Sequence, residues 1–228
     1  MKQFLPFVLL LAVGCQNNEP TSNRIQEESQ VETPYLLVLG HVQDAGSPQA
    51  GCMKDCCKNL WIHPDSSRMV SSLAWIKPDE NISYIFDASP DFAKQLQLIN
   101  HINQNATTLR GIFLTHAHIG HYTGLMHLGK EAWSADSMPV YCYPRMGHFL
   151  ESNAPWKALI ENGNVKIQPS IASQTQQIHP QLKVTGFMVP HRDEYSETVA
   201  YLIQSEQTSA LFLPDIDKWE KWTMNIDS

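Results

Sequence analysis

Three histidines fall within six residues in Thr115-His116-Ala117-His118-Ile119-Gly120-His121. In an extended chain, side chains two apart point the same way, so His116 and His118 face one point. His121, three residues further on, reaches the same pocket from another side. Three imidazoles at this spacing suit zinc, with a position left open for water. Such an ion polarises a carbonyl or phosphoryl oxygen and draws the pKa of its water down towards about 7. Hydrolysis is the reaction class that this spacing predicts.

A second cluster is made of sulfur, in Gly51-Cys52-Met53-Lys54-Asp55-Cys56-Cys57. Three thiolates at this spacing can converge on a structural zinc, with a histidine such as His63 or a more distant one as the fourth ligand. A Cys52–Cys56 or Cys52–Cys57 disulfide, or inert buried thiols, are the other readings. Adjacent Cys56 and Cys57 would form a strained ring with each other. Cys142, in the strand-like Pro139-Val140-Tyr141-Cys142, reads as core.

The elements that must position these groups are legible as apolar runs. Leu36–Gly40, Val70–Ile76, Ser83–Asp87, Gly111–Thr115 and Met138–Tyr143 read as strands, and so do Val165–Ile167, Leu182–Val189, Thr198–Gln204 and Ala210–Leu213. The stretch from Asp44 to Gln49 reads as loop. Ser89 and Pro90 are placed as N-cap and first position of a helix whose period is Phe92, Leu96 and Ile99. Gly124–Trp133 and Gly147–Glu161 are predicted helices, the second broken by Pro155. Strands and helices intermix with no internal repeat, which gives an α/β or α+β domain from about residue 34 to the end.

Ahead of that domain, residues 1–15 combine an early Lys2, the apolar run Phe4–Val13 and the small Gly14. This is a signal-peptide pattern, about half as long as a membrane span. Leu11-Ala12-Val13-Gly14-Cys15 resembles a bacterial lipobox, so Cys15 is the expected lipidation site. Residues 16–33 lack apolar periodicity and read as a disordered tether. The expected location is the bacterial cell envelope, lipid-anchored on the periplasmic or outer-membrane side. Free thiols do not usually persist there, so the cysteine cluster needs a reason.

The 228 residues are 43% hydrophobic and 17% charged, with a net charge of −7. That balance excludes wholesale disorder and argues against nucleic acid as a partner, whose phosphates call for clustered Lys and Arg. A small-molecule substrate and a membrane reached through the anchor are the expected partners. The sequence sets no oligomeric state.

The H-x-H-x-x-H segment after a strand resembles the signature of the metallo-β-lactamase fold superfamily. Asp44–Gln49, the cysteine triplet, Ser89-Pro90-Asp91, Thr123-Gly124-Leu125 and Pro139-Val140-Tyr141 narrow the likeness to the pyrroloquinoline-quinone biosynthesis protein B branch. That branch is close to phosphodiesterases of the carbon–phosphorus lyase pathway. The resemblance implies an α/β fold of the αββα sandwich type. It implies His116, His118 and His191 on a first metal, Asp215 bridging to a second, and His121 as a ligand of that second metal. Asp215 and His121 are thereby the expected catalytic groups, with Asp217 the alternative to Asp215. Asp87 matches a strand-end carboxylate that orients the ligands. His127 and His148, near the motif, read as ordinary helix residues.

Two departures from the family pattern stand out. The usual Asp before the last histidine of the motif is Gly120, which offers no ligand, so a second metal is expected to bind weakly. No histidine follows His191, and the chain stops at Ser228 where relatives continue, so the expected sandwich is incomplete at its C-terminus. The metals implied are one catalytic zinc, a second weak site and a structural zinc at Cys52, Cys56 and Cys57. The expected activity is hydrolysis of a small ester, a phosphodiester first. The alternative is a non-hydrolytic metal-binding protein of a cofactor pathway.

Overall fold

A computed structural model describes residues 33–206 and 208–224. The lipobox at Cys15 and the tether through residue 32 lie outside the described residues. Six strands form the first sheet in chain order: β1 (Tyr35–Gly40), β2 (Ser72–Lys77), β3 (Ile82–Phe86), β4 (Thr108–Phe113), β5 (Met138–Cys142) and β6 (Val165–Pro169). β1, β2 and β3 pair antiparallel, whereas β3 to β6 are parallel. Parallel neighbours need crossovers. These are supplied by α1 (Phe92–Ile102), then α2 (Ile119–Tyr122), then α3 (Pro144–Ser152) and α4 (Trp156–Glu161). The second sheet is antiparallel, from β7 (Thr175–His179), β8 (Leu182–Met188), β9 (Val199–Gln204) and β10 (Ser209–Phe212), in the order β10-β9-β8-β7.

Alternation along the strands divides the apolar side chains between two cores. Ala74, Ile76, Ile85, Ile112 and Val140 face the helices, where Phe92, Ile99, Leu150 and Leu159 meet them. Leu73, Trp75, Tyr84, Phe86 and Phe113 face the other way, onto Val184, Val199 and Tyr201 of the second sheet. The rings of Phe86, Phe113 and Tyr141 stack across β3, β4 and β5 with centroids 4.8 and 4.5 Å apart. Each fully buried ring contributes about 1.5–3 kcal/mol through burial, and each aromatic pair about 0.5–1.5 kcal/mol more. Among the described residues, every α-helix with buried apolar side chains gives them to the first core. Three of the four expected layers are therefore described: helices, sheet and sheet.

The two sheets are pinned together where β4 ends. Val199 N–H donates to Thr115 O (3.1 Å), and Tyr201 Oη–H donates to Leu114 O (2.8 Å). Ala117 N–H donates to the buried Ser196 Oγ (2.8 Å). Glu197, beside it, accepts the Arg145 and Met146 N–H groups at the start of α3. A carboxylate there satisfies donors the helix leaves open and suits its dipole.

Three local expectations are corrected. Gly124–Trp133 is not one helix: 3₁₀ turns run over Thr123–Leu128, and plain turns follow. Gly124 is pressed onto the carbonyls of Ala88 and Ser89 and onto Phe92 Cβ, so local packing overrides the helical pattern. The cap of α1 is Asp91, while Ser89 Oγ accepts the Asp91 N–H one turn earlier. β7 has no counterpart in the sequence reading, because Thr-Gln-Gln-Ile-His offers no apolar alternation.

Candidate metal centre

The carboxyl ends of β3 and β4, and the segments that follow β8 and β10, deliver the polar side chains to one place. After β4 the chain stays extended and carries His116 Nε2 to within 2.8 Å of His118 Nδ1. His191 follows β8, its ring centroid 5.3 Å from that of His116 and 5.0 Å from that of His118. Asp215, just past β10, sets Oδ2 at 3.3 Å from His116 Nε2 and 3.5 Å from each of His121 Nε2 and His191 Nε2. His116, His118, His191 and Asp215 each place one ligand atom within 4.8 Å of all the others.

A hydrogen-bond chain fixes the tautomers. Asp87, fully buried with φ +67°, accepts Thr115 N–H at Oδ1 (2.8 Å) and both Thr115 Oγ1–H (2.9 Å) and His121 Nδ1–H (2.7 Å) at Oδ2. Aspartate tolerates this left-handed conformation better than most residues. Because an ionised carboxylate only accepts, the Thr115 hydroxyl proton and the His121 Nδ1 proton are committed to Asp87. His116 Nδ1, 3.0 Å from Thr115 Oγ1, must then be the donor of that pair. Its Nε2 is left as a lone pair turned towards Asp215.

These donors fit a metal ion. His116 Nε2, His118 Nδ1 at 2.8 Å from it and Asp215 Oδ2 at 3.3 Å from it converge as the ligands of a cation do. Both ring nitrogens of His191 are buried without a hydrogen-bond partner, and Asp215 Oδ2, though 3.5 Å from Nε2, makes no hydrogen bond to it. Leaving a buried polar group unpaired costs about 1–3 kcal/mol. Imidazole and carboxylate together suit divalent ions of the zinc type.

The ring of His121 lies against that of His116, with centroids 4.3 Å apart, and also meets a second carboxylate. Its Nε2 lies 3.0 Å from Asp44 Oδ1, and Asp44, His121 and Asp215 form a separate convergent group that shares Asp215. Asp44 lies in the loop after β1 and occupies the space in front of Gly120. The sequence reading expected this group to lack a carboxylate and left Asp44 as loop.

The electrostatics follow the geometry. The neighbouring rings of His116 and then His121 hold Asp215 far below the usual carboxylate range. The hydrogen bond to His121 likewise lowers Asp44. Burial opposes a charge on His121, but the surrounding Asp87, Asp215 and Asp44 outweigh it and hold the ring well above the usual histidine value. Burial dominates at His116 and His191 and lowers both.

Asp217, the alternative to Asp215, is turned to Lys221 instead. His127 stacks on Phe92, and His148 lies exposed on α3. Sequence reasoning missed Asp44, Thr115 and Glu194, whose carboxylate lies 3.2 Å from His118 Nε2.

The cysteine triplet also converges. Cys56 Sγ lies 4.0 Å from Cys52 Sγ and 3.6 Å from Cys57 Sγ, and all four described cysteines are free thiols. No histidine joins the group, and His63 is exposed. Trp61 Nε1–H donates to Cys52 O (2.9 Å), tying the end of this segment back to its start.

Beside the histidines opens a cleft of about 520 Å³. Tyr122, Phe149 and Tyr195 form an aromatic wall, and Arg192 and His118 line it as well.

A family model for the beta-lactamase superfamily domain matches residues 83–226. Coenzyme PQQ synthesis protein B of Klebsiella pneumoniae (strain 342) is 28% identical over 137 residues, covering 57% of this chain and 42% of that protein. Among solved structures, Zn(2+)-bound PqqB from Methylobacterium extorquens matches with a TM-score of 0.64 at 23% identity, covering 78% of this chain and 64% of that one. A diphosphatase from the PhnP family matches with a TM-score of 0.54 at 21% identity, covering 75% of this chain and 62% of that one. The likeness to both structures is one of fold. The chain spans less than two thirds of the length of each of these three relatives.

Proposed function

This chain belongs to the beta-lactamase superfamily, and from that membership we propose that it is a zinc-dependent hydrolase of small esters, a phosphodiester first among them. The observation that carries the reading is the convergence of His116, His118, His191 and Asp215, with His191 holding two buried ring nitrogens that have no hydrogen-bond partner. The zinc of one fold neighbour and the diphosphatase name of another lean the same way.

When bound there, a zinc ion supplies Lewis-acid polarisation of the scissile group and activation of water. The rest falls to the chain's own side chains. Asp87 holds His121, and through Thr115 also His116, with Nε2 turned to the site. Asp215 stays anionic at neutral pH, so it orients its partners and does not shuttle protons. Arg192 at the cleft offers a fixed positive charge to an anionic oxygen of the substrate, and the wall of Tyr122, Phe149 and Tyr195 packs its organic part.

The test is hydrolysis of a chromogenic phosphodiester. Chelation should abolish it and zinc should restore it. Zinc-loaded protein that is inert across a broad ester panel would sink the reading. The similarity to a coenzyme synthesis protein favours one second reading, a non-hydrolytic metal-binding role in a cofactor pathway. It predicts bound metal with no esterase activity of any kind.

We also place the protein in the bacterial envelope, anchored through a lipid on Cys15. The apolar run ending in Leu11-Ala12-Val13-Gly14-Cys15 supports this. Labelled palmitate should enter the wild-type chain and not Cys15→Ser. Equal labelling of both would overturn the anchor.

A further inference from the structure

We propose that Asp44 is the ligand that position 120 lacks, so that a loop carboxylate completes a second cation site with His121 and Asp215. A Cβ built on Gly120 would lie 2.5 Å from Asp44 Oδ1, 2.6 Å from its Cγ and 2.8 Å from its Cα. The aspartate therefore fills the volume that a side chain at 120 would take. Its Oδ1 stands 3.0 Å from His121 Nε2, and Asp215 Oδ2 stands 3.5 Å from the same nitrogen. The ligand atoms of the three residues all lie within 4.8 Å of one another. With Nδ1 committed to Asp87, Nε2 is the only nitrogen His121 can offer to that group.

The loop is built to hold Asp44 there. His41 and Val42 both donate N–H to Met69 O, and Ser71 N–H donates to Val42 O. Gly40 packs against the carbonyls of Met69 and Val70 too closely for any Cβ. A turn from Gln43 O to Gly46 N–H (2.9 Å) then closes around Asp44 itself. A carboxylate held in place from two sides needs no reorganisation to take up a cation. The inference rests on the metal-binding half of the reading above and not on hydrolysis.

Cobalt(II) titration of the full chain, with bound metal counted by elemental analysis after desalting, tests it. Cobalt held by thiolates shows an intense sulfur-to-metal charge-transfer band, so ions at the cysteine triplet are counted apart. Outside that band, wild-type protein should hold two cobalt ions. Asp44→Asn and Asp44→Ala should each hold one, with an unchanged melting curve in chelator. Gly120→Ala, whose methyl group collides with Asp44, should lose the same second ion. Two ions bound equally tightly in wild type and both Asp44 variants would overturn the proposal, and so would one ion in saturated wild type. Two ions in a chain inert on every ester would support it while sinking the hydrolase reading. One ion in an active hydrolase would do the reverse.

Discussion

The carboxylate of Asp87 lies one hydroxyl away from the ring of His116. Thr115 Oγ1 donates to Asp87 Oδ2 at 2.9 Å and receives the His116 Nδ1–H at 3.0 Å. All three side chains are almost wholly buried. One anion thus sets the protonation of two imidazoles, directly at His121 and by relay at His116.

The relay predicts a separation between size and hydroxyl at position 115. Thr115→Val keeps the shape but strands His116 Nδ1, and metal affinity should fall about 10- to 100-fold, the usual cost of losing such a partner. Thr115→Ser should recover most of it. Competition with a chromogenic chelator reads both. Equal affinity in Thr115→Val and wild type would show that the relay does not orient His116.

His191 gives a prediction about stability that depends on metal. Its ring nitrogens gain nothing from the metal-free protein, so His191→Ala should melt in EDTA within about 1 kcal/mol of wild type, far less than loss of a paired buried group. Binding to the folded state alone raises stability by mass action. Zinc should therefore raise the melting temperature of wild type much more than that of His191→Ala. An equal rise in both would remove His191 from the ligand set.

The thiols should separate by reactivity. Cys142 is fully buried, and burial, with Glu197 and Glu151 adding to it, pushes its thiol up to about 12. The thiolate is the reactive form, so at about pH 8 only around one molecule in 10,000 is available there. Metal-free native protein treated with a disulfide reagent should release its first equivalent from the exposed Cys56 and none from Cys142 until denaturant is added. Mapping by mass spectrometry decides it. Early labelling of Cys142 would mean that β5 is not buried as described.

Arg192 should matter to charge and not to chemistry. Arg192→Ala should raise KM for an anionic ester roughly tenfold, the size of one charge-assisted hydrogen bond. KM for a neutral ester, and kcat for both, should change little. A kcat loss shared by both substrates would place Arg192 in the reacting geometry instead.

What could be read from the sequence was whatever is local. His116 and His118 declare themselves because an extended chain alternates, whereas His191 and Asp215 enter through the family resemblance that assigns them. Asp44 did not, because it stands 77 residues before His121 and only the fold brings them together. The same holds for Glu194, which reaches His118 across 76 residues. Gly124 misled for the opposite reason. Its surroundings suit a helix, but its N–H is taken by Ala88 O and it packs against Ser89 O, long-range contacts that no local pattern shows.

The close approach of Asp44 to Gly120 also orders the protein's possible histories. A lineage that gained a side chain at position 120 while keeping Asp44 would meet a 2.5 Å overlap before any benefit could appear. Position 44 must shrink first, and at that moment the group has no second carboxylate at all. Residues 44 and 120 thus share one volume, so a change of size at either position is felt at the other.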